Sequence, residues 1–197
     1  MSQASFDSIG EFFPEPAEYF KALCSGFGIT ASLVVDKDGQ TVNSAGNSKG
    51  IGNAVDLALL IALRKNANLV LTSGLTFRNE AYKMPKNADL AVFSRKAIDF
   101  SGLEFPEGRE AIAIGAQEAG TYLEALDVCL GRGYKNIHIE FGERGIKELF
   151  EHQRIDALFI SSRHPDGLKM LCQGMGLSPA IRTEIQGLSI GLVAWQS

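Results

Sequence analysis

The residues of this chain best suited to chemistry stand where apolar runs end. Ile137-His138-Ile139-Glu140 closes on a carboxylate, and Phe141-Gly142-Glu143-Arg144-Gly145 breaks at glycine and opens a helical pattern. A strand end beside a helix amino terminus presents unpaired N–H groups and partial positive charge, which suit a phosphate, while Glu140 is placed to accept hydrogen bonds from a substrate. The plainer alternative is that Glu140 pairs with a nearby cation and Gly142 only caps a turn. Two other runs end in a similar way. Ser73-Gly74-Leu75-Thr76 turns on glycine beside a threonine hydroxyl, so its backbone can approach a phosphate or nicotinamide closely. Ser94-Arg95-Lys96 offers a hydroxyl and two cations where a ribose phosphate could rest, or else forms a solvated basic turn. Arg64, closing a helical pattern, either serves such a site or answers the helix dipole.

Positioning these groups calls for strands that alternate with helices. Runs of strand length at 29–35, 69–73, 90–94, 111–114, 136–140 and 157–161 alternate with helical patterns at 16–24, 53–65, 120–130 and 145–152. That order predicts an α/β fold, a central mainly parallel sheet with helices on its faces. Asn53 is the expected N-cap of the second helix. A short strand at 40–43 is expected to return beside 29–35 as a hairpin across Asp36-Lys37-Asp38-Gly39. A polar loop follows at 44–52, and a final strand is expected at 185–195. No internal repeat or long linker appears, so 1–197 reads as one domain, with 1–28 as an amino-terminal extension and helix packed on it.

Composition narrows the function. The 197 residues are 45% hydrophobic and 21% charged with net charge -4, a globular balance that gives no reason to expect nucleic acid or an anionic membrane as the main partner. Cys24, Cys129 and Cys172 are odd in number, far apart and without a CxxC pair, which suggests no disulfide framework and a reducing cytoplasm. The first residues, with Asp7, Glu11, Pro14, Glu15 and Pro16, do not read as a signal peptide, and the apolar stretch 55–63 is interrupted by Asp56 and reads as a buried helix rather than a membrane span.

Some apparent motifs carry no chemistry. Gly26-Phe27-Gly28-Ile29-Thr30-Ala31 matches a relaxed dinucleotide fingerprint, but it follows a helix and precedes a strand, the reverse of the order that brings phosphate to a helix amino terminus. It reads as a helix C-cap and turn. His138-Ile139-Glu140 has the His-x-Glu half of a zinc deaminase site without the Pro-Cys-x-x-Cys half, so no metal is expected and His138 is a packed or solvent-facing strand residue. A Walker lysine motif and a nucleophile elbow are absent.

Taken in order, Asp38-Gly39, Ser48, Asp56, Leu63-Arg64, Thr72-Ser73-Gly74-Leu75-Thr76, Ser94, Glu140-Phe141-Gly142 and Ile155-Asp156-Ala157-Leu158 resemble the reductase domain of riboflavin biosynthesis. The resemblance covers roughly 29–161 and lacks the family's zinc deaminase partner domain. It implies a dihydrofolate-reductase-like fold, an NADPH cofactor, a homodimer, and hydride transfer to the ribosyl carbon of a 5-amino-6-(phosphoribosylamino)pyrimidine-dione to give a ribityl chain. By position, it implies that Ser48, Arg64 and Glu140 contact the substrate. It likewise implies that Gly50, Thr76, Glu80, Ser94, Gly142, Glu143, Arg144, Gly145 and Ile146 contact the cofactor, and the reading of Ser94-Arg95-Lys96 as a ribose-phosphate site adds Arg95. Glu140 would be the residue closest to catalysis.

The chain departs from the family at three places, the first being Gly50, where an aromatic residue often stands two positions after the serine, so a stacking surface is removed. Asn79-Glu80-Ala81-Tyr82-Lys83-Met84-Pro85 replaces an Asp-Asp-Pro stretch and the arginine that holds the substrate phosphate, leaving Lys83 or Lys86 as substitutes. Glu143-Arg144 replaces Pro-Thr, setting one charge that repels a pyrophosphate beside one that attracts it. A reductase of another small molecule and a non-catalytic nucleotide-binding paralogue therefore remain alternatives.

Overall fold

A computed structural model describes residues 16–80 and 82–194. Its six parallel strands are β1 (Ile29–Val35), β2 (Leu69–Ser73), β3 (Asp89–Phe93), β4 (Ala111–Ile114), β5 (Ile137–Glu140) and β6 (Ala157–Ser162); β7 (Ile181–Ile185) and β8 (Leu188–Ala194) complete the sheet in antiparallel pairing. The order across the sheet is β4-β3-β2-β5-β1-β6-β8-β7. The helices are α1 (Pro16–Leu23), α2 (Ala54–Asn66), α3 (Gly74–Asn79), α4 (Tyr122–Gly131), α5 (Glu143–Glu151) and α6 (Pro165–Met175).

Strand periodicity assigns each helix to a face. Ala31, Leu33, Ile137, Ile139, Leu158 and Ile160 point one way and pack against Leu126 of α4, Ile146 and Leu149 of α5, and Leu168 and Leu171 of α6. Phe159, Ile190 and Leu192 point the other way and pack against Phe20 of α1 and Leu59 and Leu63 of α2. Farther along that second face, Val70, Leu90 and Val92 are covered by Met84, Phe77, Tyr82 and Phe100. Between these two apolar patches, the same face of β1 and β5 carries Thr30, Ser32, His138 and Glu140 instead. The cover is interrupted there, and the polar groups lie at the base of the gap.

The boundaries of β1, β2 and β4 are those read from the sequence, and Asn53 caps α2 with its side chain accepting from the N–H groups of Val55 and Asp56 at 2.9 and 3.0 Å. Three expectations need correction. Residues 40–43 form no strand, because the Asp36 carboxylate accepts from the N–H groups of Asp38 and Gln40, and Asn43 accepts from Ala45 and Asn47. Such side-chain capture competes with a ladder and wins in a short polar segment. The turn after β2 is the helix α3, started by Ser73 Oγ accepting from Thr76 N–H at 3.1 Å. The closing strand is two strands, reversed at Gln186 and Gly187, whose φ values of 47° and 76° suit a tight hairpin.

The hairpin also sets which strand ends the sheet. β8 lies between β6 and β7, and the edge is β7, where Arg182 and Glu184 are exposed. Trp195 and residues 1–15 lie outside the described residues. The helix α6 is not among the elements expected from the sequence, although Pro165 in its first turn and Gly176 at its C-cap (φ 67°) are ordinary start and stop signals.

Glycine is required at one contact between α6 and β1. A Cβ on Gly167 would stand 1.8 Å from the carbonyl oxygen of Asp36. Gly167→Ala is therefore expected to lower stability by about 1 to 3 kcal/mol, the usual range for overpacking. Urea denaturation checks this; an unchanged midpoint would mean that α6 does not meet the end of β1 as described.

Candidate functional site

A crevice of about 430 Å³ opens at the interrupted cover, lined from α2 by Asp56, Leu59, Leu60 and Arg64, and from the strand ends by Ser32, Glu140, Phe141 and Gly142. Thr76, Glu80, Tyr82 and Lys83 close one side, and Thr41, Val42 and Ser48 of the long loop close another. Ligands of open parallel sheets bind outside the carboxyl ends of the strands, and this crevice lies there. The loop is fastened to α3, since Glu80 accepts from the N–H of Ser48 at 2.6 Å and Asn79 donates to the carbonyl of Gly46 at 3.0 Å.

At the centre stands a bidentate ion pair. Arg64 Nε and Nη2 donate to the two carboxylate oxygens of Glu140 at 2.6 and 2.7 Å. Tyr82 donates its hydroxyl to Glu140 at 2.5 Å, accepts from Arg64 at 3.1 Å, and sets its ring 5.1 Å from the guanidinium carbon. The side chain of Glu140 is 10% exposed and that of Arg64 23%. Burial pushes Glu140 up, but the charge and hydrogen bonds of Arg64, with help from His138 and Tyr82, hold its carboxyl below the ordinary range. Burial pulls Arg64 down, and the Glu140 carboxylate more than offsets it. Burial, then Glu140, drives the Tyr82 hydroxyl well above its ordinary value, so it remains a donor.

Beneath the pair, His138 is fully buried, with Nδ1 3.0 Å from Thr30 Oγ1 and Nε2 3.2 Å from Ser32 Oγ. Burial lowers its pKa to about 4, only partly countered by Glu140 at 3.8 Å. A neutral imidazole needs one donor and one acceptor, and two hydroxyls supply either.

The residues expected at a cofactor divide into two sets. Thr76, Glu80 and Gly142 reach the crevice, but Gly50, with φ 80°, turns the loop outside its lining. Gly142 starts α5 without a side-chain cap, and the N–H groups of Glu143 and Arg144 have no hydrogen-bond partner among the described residues. Gly145 and Ile146 are spent on structure: their N–H groups return to the carbonyl of Gly142, a Cβ at Gly145 would stand 2.8 Å from that of Phe141, and Ile146 is in the core. Ser94 accepts from Lys96 N–H at 3.1 Å and Arg78 at 3.4 Å, and the exposed Arg95 reaches the carbonyl of Gly120 at 3.5 Å. Three cations thus surround the end of β3.

Sequence reading brought Ser48, Arg64 and Glu140 to one crevice but did not pair Arg64 with Glu140. It also left out Tyr82 and Ser32 as site residues. Alternation along β1 and β5 is the signal that puts Ser32 on the side of Glu140; nothing local marks Tyr82. Among the described residues no group of His, Cys, Asp and Glu is arranged to hold a metal, and no helix is long and apolar enough to cross a membrane.

No family model and no curated protein sequence matches this chain. Solved structures do. A pyrimidine reductase-like protein from Corynebacterium diphtheriae superposes with TM-score 0.67 at 17% identity, over 89% of this chain and 98% of that one. The diaminohydroxyphosphoribosylaminopyrimidine deaminase/5-amino-6-(5-phosphoribosylamino)uracil reductase of Thermotoga maritima gives 0.63 at 15% identity, over 89% of this chain and 59% of that longer one. The riboflavin biosynthesis reductase of Saccharomyces cerevisiae gives 0.62 at 8% identity, over 95% and 99%. What is shared at these identities is the fold, the same one that the sequence motifs resembled.

The buried polar layer makes stability depend on pH. Because the folded pKa of His138 lies below the ordinary 6.5, the unfolded chain takes up a proton first as pH falls. Stability is therefore expected to drop between pH 6.5 and about 4, by up to roughly 3 kcal/mol, since each pH unit across that interval costs about 1.4 kcal/mol. Glu140, held below its ordinary 4.5, adds a further loss as pH falls through its folded value. Urea titrations at pH 7 and 5 on wild type and His138→Asn isolate the first effect; an equal drop in both proteins would assign it elsewhere.

Proposed function

We propose that this chain is an NADPH-dependent reductase of the riboflavin-pathway pyrimidine family, transferring hydride to the ribosyl carbon of a 5-amino-6-(phosphoribosylamino)pyrimidine to give the ribityl product. The observation that carries this reading is the Arg64–Glu140 pair on the wall of a crevice at the strand ends, in a sheet of the fold that such reductases share. The pair fixes a donor and an acceptor in one orientation, which suits a sugar bearing several hydroxyls. Ser48 stands across the crevice as a further contact, and Lys83 is the exposed cation on its rim suited to the substrate phosphate.

The residues present fit a nicotinamide dinucleotide. The free N–H groups of Glu143 and Arg144, at the start of a nine-residue helix, suit a pyrophosphate. Thr76, Glu80 and Gly142 line the crevice, where Glu80 already anchors the loop that would shield the reaction from water. Arg95, with Arg78 and Lys96, suits a 2′-phosphate beside Ser94. When bound, NADPH supplies the hydride; the protein orients two partners and excludes solvent.

A reductase acting on a different small molecule is the second reading. What favours it is the segment Tyr82-Lys83, where Tyr82 is engaged with Arg64 and Glu140, leaving Lys83 alone for a phosphate. The chain is further proposed to work as a homodimer in a reducing cytoplasm, a setting that suits three free, buried cysteines.

Purified protein is expected to oxidise NADPH when given the ribosylaminopyrimidine; no oxidation with any member of a pyrimidine panel would count against the first reading, and no binding of NADPH against both. Arg95→Ala is expected to narrow the preference for NADPH over NADH by about 1 to 3 kcal/mol, the range for a charge-assisted hydrogen bond. Equal affinity of wild type for the two nucleotides would remove Arg95 from the site. Glu140→Gln is expected to cut turnover by about tenfold or more per folded molecule, as well as lowering the melting temperature, because the pair is both positioned and buried. A lower melting temperature with full turnover would make the pair purely structural.

A further inference from the structure

Ser32 of β1 lines the crevice, and none of the roles assigned above uses it. Its hydroxyl lies 3.2 Å from Nε2 of His138, which is fully buried and takes no part in the lining. On the other side of the imidazole, Nδ1 lies 3.0 Å from the hydroxyl of Thr30, two residues earlier on the same face of β1. Thr30, His138 and Ser32 thus form a row of polar groups, buried at the threonine end and open to the crevice at the serine end.

The buried end decides where the protons sit. Thr30 is 6% exposed, and among the described residues its hydroxyl has no hydrogen-bond partner other than Nδ1. If Nδ1 carried the imidazole proton, the Thr30 proton would be buried without an acceptor, which is costly. Nδ1 is therefore the acceptor and Nε2 the donor, and burial keeps the ring neutral so that Nδ1 stays free to accept. The Glu140 carboxylate, 3.8 Å from Nε2, favours the same tautomer by drawing the N–H to its side of the ring. Ser32 Oγ then accepts from Nε2–H, and its own proton has no acceptor among the described residues, since Glu140 is taken up by Arg64 and Tyr82. A donor left unpaired at a crevice wall calls for an acceptor on the ligand.

Granted the reductase reading, we propose that Ser32 is a catalytic hydrogen-bond donor to the sugar oxygen that leaves C1′, and that His138 is the positioning residue that holds it in that role. As C1′ gains hydride its C–O bond breaks, the bonding pair goes to the oxygen, and the proton that the reduction consumes reaches that oxygen from water. A donor aimed at the oxygen counts most while charge grows there. A serine hydroxyl without a partner could turn a lone pair to the oxygen as readily as its proton. The imidazole N–H behind Ser32 removes that choice, so a histidine with no opening of its own to the crevice acts on the ligand through one hydroxyl.

Nitrogen NMR of the full chain with ¹⁵N-labelled imidazoles reads the tautomer without any ligand. At pH 7 His138 is expected as a single neutral tautomer protonated at Nε2; a mixture, or protonation at Nδ1, overturns the proposal. Turnover of the ribosylaminopyrimidine with NADPH reads the role. Ser32→Ala is expected to lower kcat about tenfold or more with KM little changed, as losing a hydrogen bond to a developing charge implies. His138→Leu is expected to lose as much, and the double variant no more than either single one, because both changes remove the same contact. His138→Gln, which puts an amide N–H near the place of Nε2, is expected to restore most of the loss. Full kcat in folded Ser32→Ala, or losses that add in the double variant, overturns the proposal. Should the His138 variants not fold, the tautomer and Ser32→Ala decide. A wild type that oxidises no NADPH sinks the reductase reading and the role at C1′ with it, whereas an Nε2–H tautomer in that protein would still hold Ser32 as a donor to the crevice.

Discussion

A buried carboxylate is costly without a fixed counter-charge, and the Arg64–Glu140 pair supplies one with two parallel hydrogen bonds on a nearly enclosed wall. Much of the surrounding geometry follows. The α2 helix must turn Arg64 toward Glu140 at the end of β5, while Leu57 and Ile61 of the same helix are exposed. The β5 strand must end at Glu140, since one residue of slip would send the carboxylate into the core with Ile137 and Ile139. The chain after α3 must return across the sheet to bring Tyr82 over both partners. Removing either charge alone would leave the other stranded at a cost of about 3 to 5 kcal/mol, so the three elements are coupled through one contact.

The layer below has the opposite character. Thr30, Ser32 and His138 are polar but neutral, and each has a hydrogen bond. Their neutrality matters to the pair above: a protonated His138 would compete with Arg64 for Glu140, and burial keeps its proton off at neutral pH. Two hydroxyls around an imidazole supply one donor and one acceptor, so the layer is satisfied without a charge. The sheet thereby supports a charged surface through neutral groups, and no second buried charge is needed.

The sheet and most helices were legible in the sequence because apolar runs of strand length are bounded by glycine and polar turns, as at Leu69–Ser73 and Ile29–Val35. What failed was where local and long-range demands differ. Residues 40–43 look like a returning strand, but Asp36 and Asn43 capture nearby backbone groups first. The final apolar run looks like one strand, yet its register is fixed by pairing with β6 across a sheet that no local window contains. Of the site, Glu140 was legible from its place after an apolar run. The pairing of Glu140 with Arg64 was not, because the two are 76 positions apart in sequence and are joined only by the sheet order.

Backbone and side chain divide the crevice between them. The end suited to phosphate depends on N–H groups at the start of α5 and on a helix that begins without a side-chain cap; any sequence that breaks at Gly142 and continues as a helix provides it. The opposite end depends on individual side chains: Asp56 with Ser161, Arg64 with Glu140, and Tyr82 closing over the pair. A Glu143-Arg144 start in place of Pro-Thr therefore leaves the donor geometry intact while changing the charge around it. By contrast, a tyrosine over Arg64 changes which atoms a ligand can meet. On the proposed reading, substitutions at the first end adjust affinity, whereas those at the second redefine what is bound.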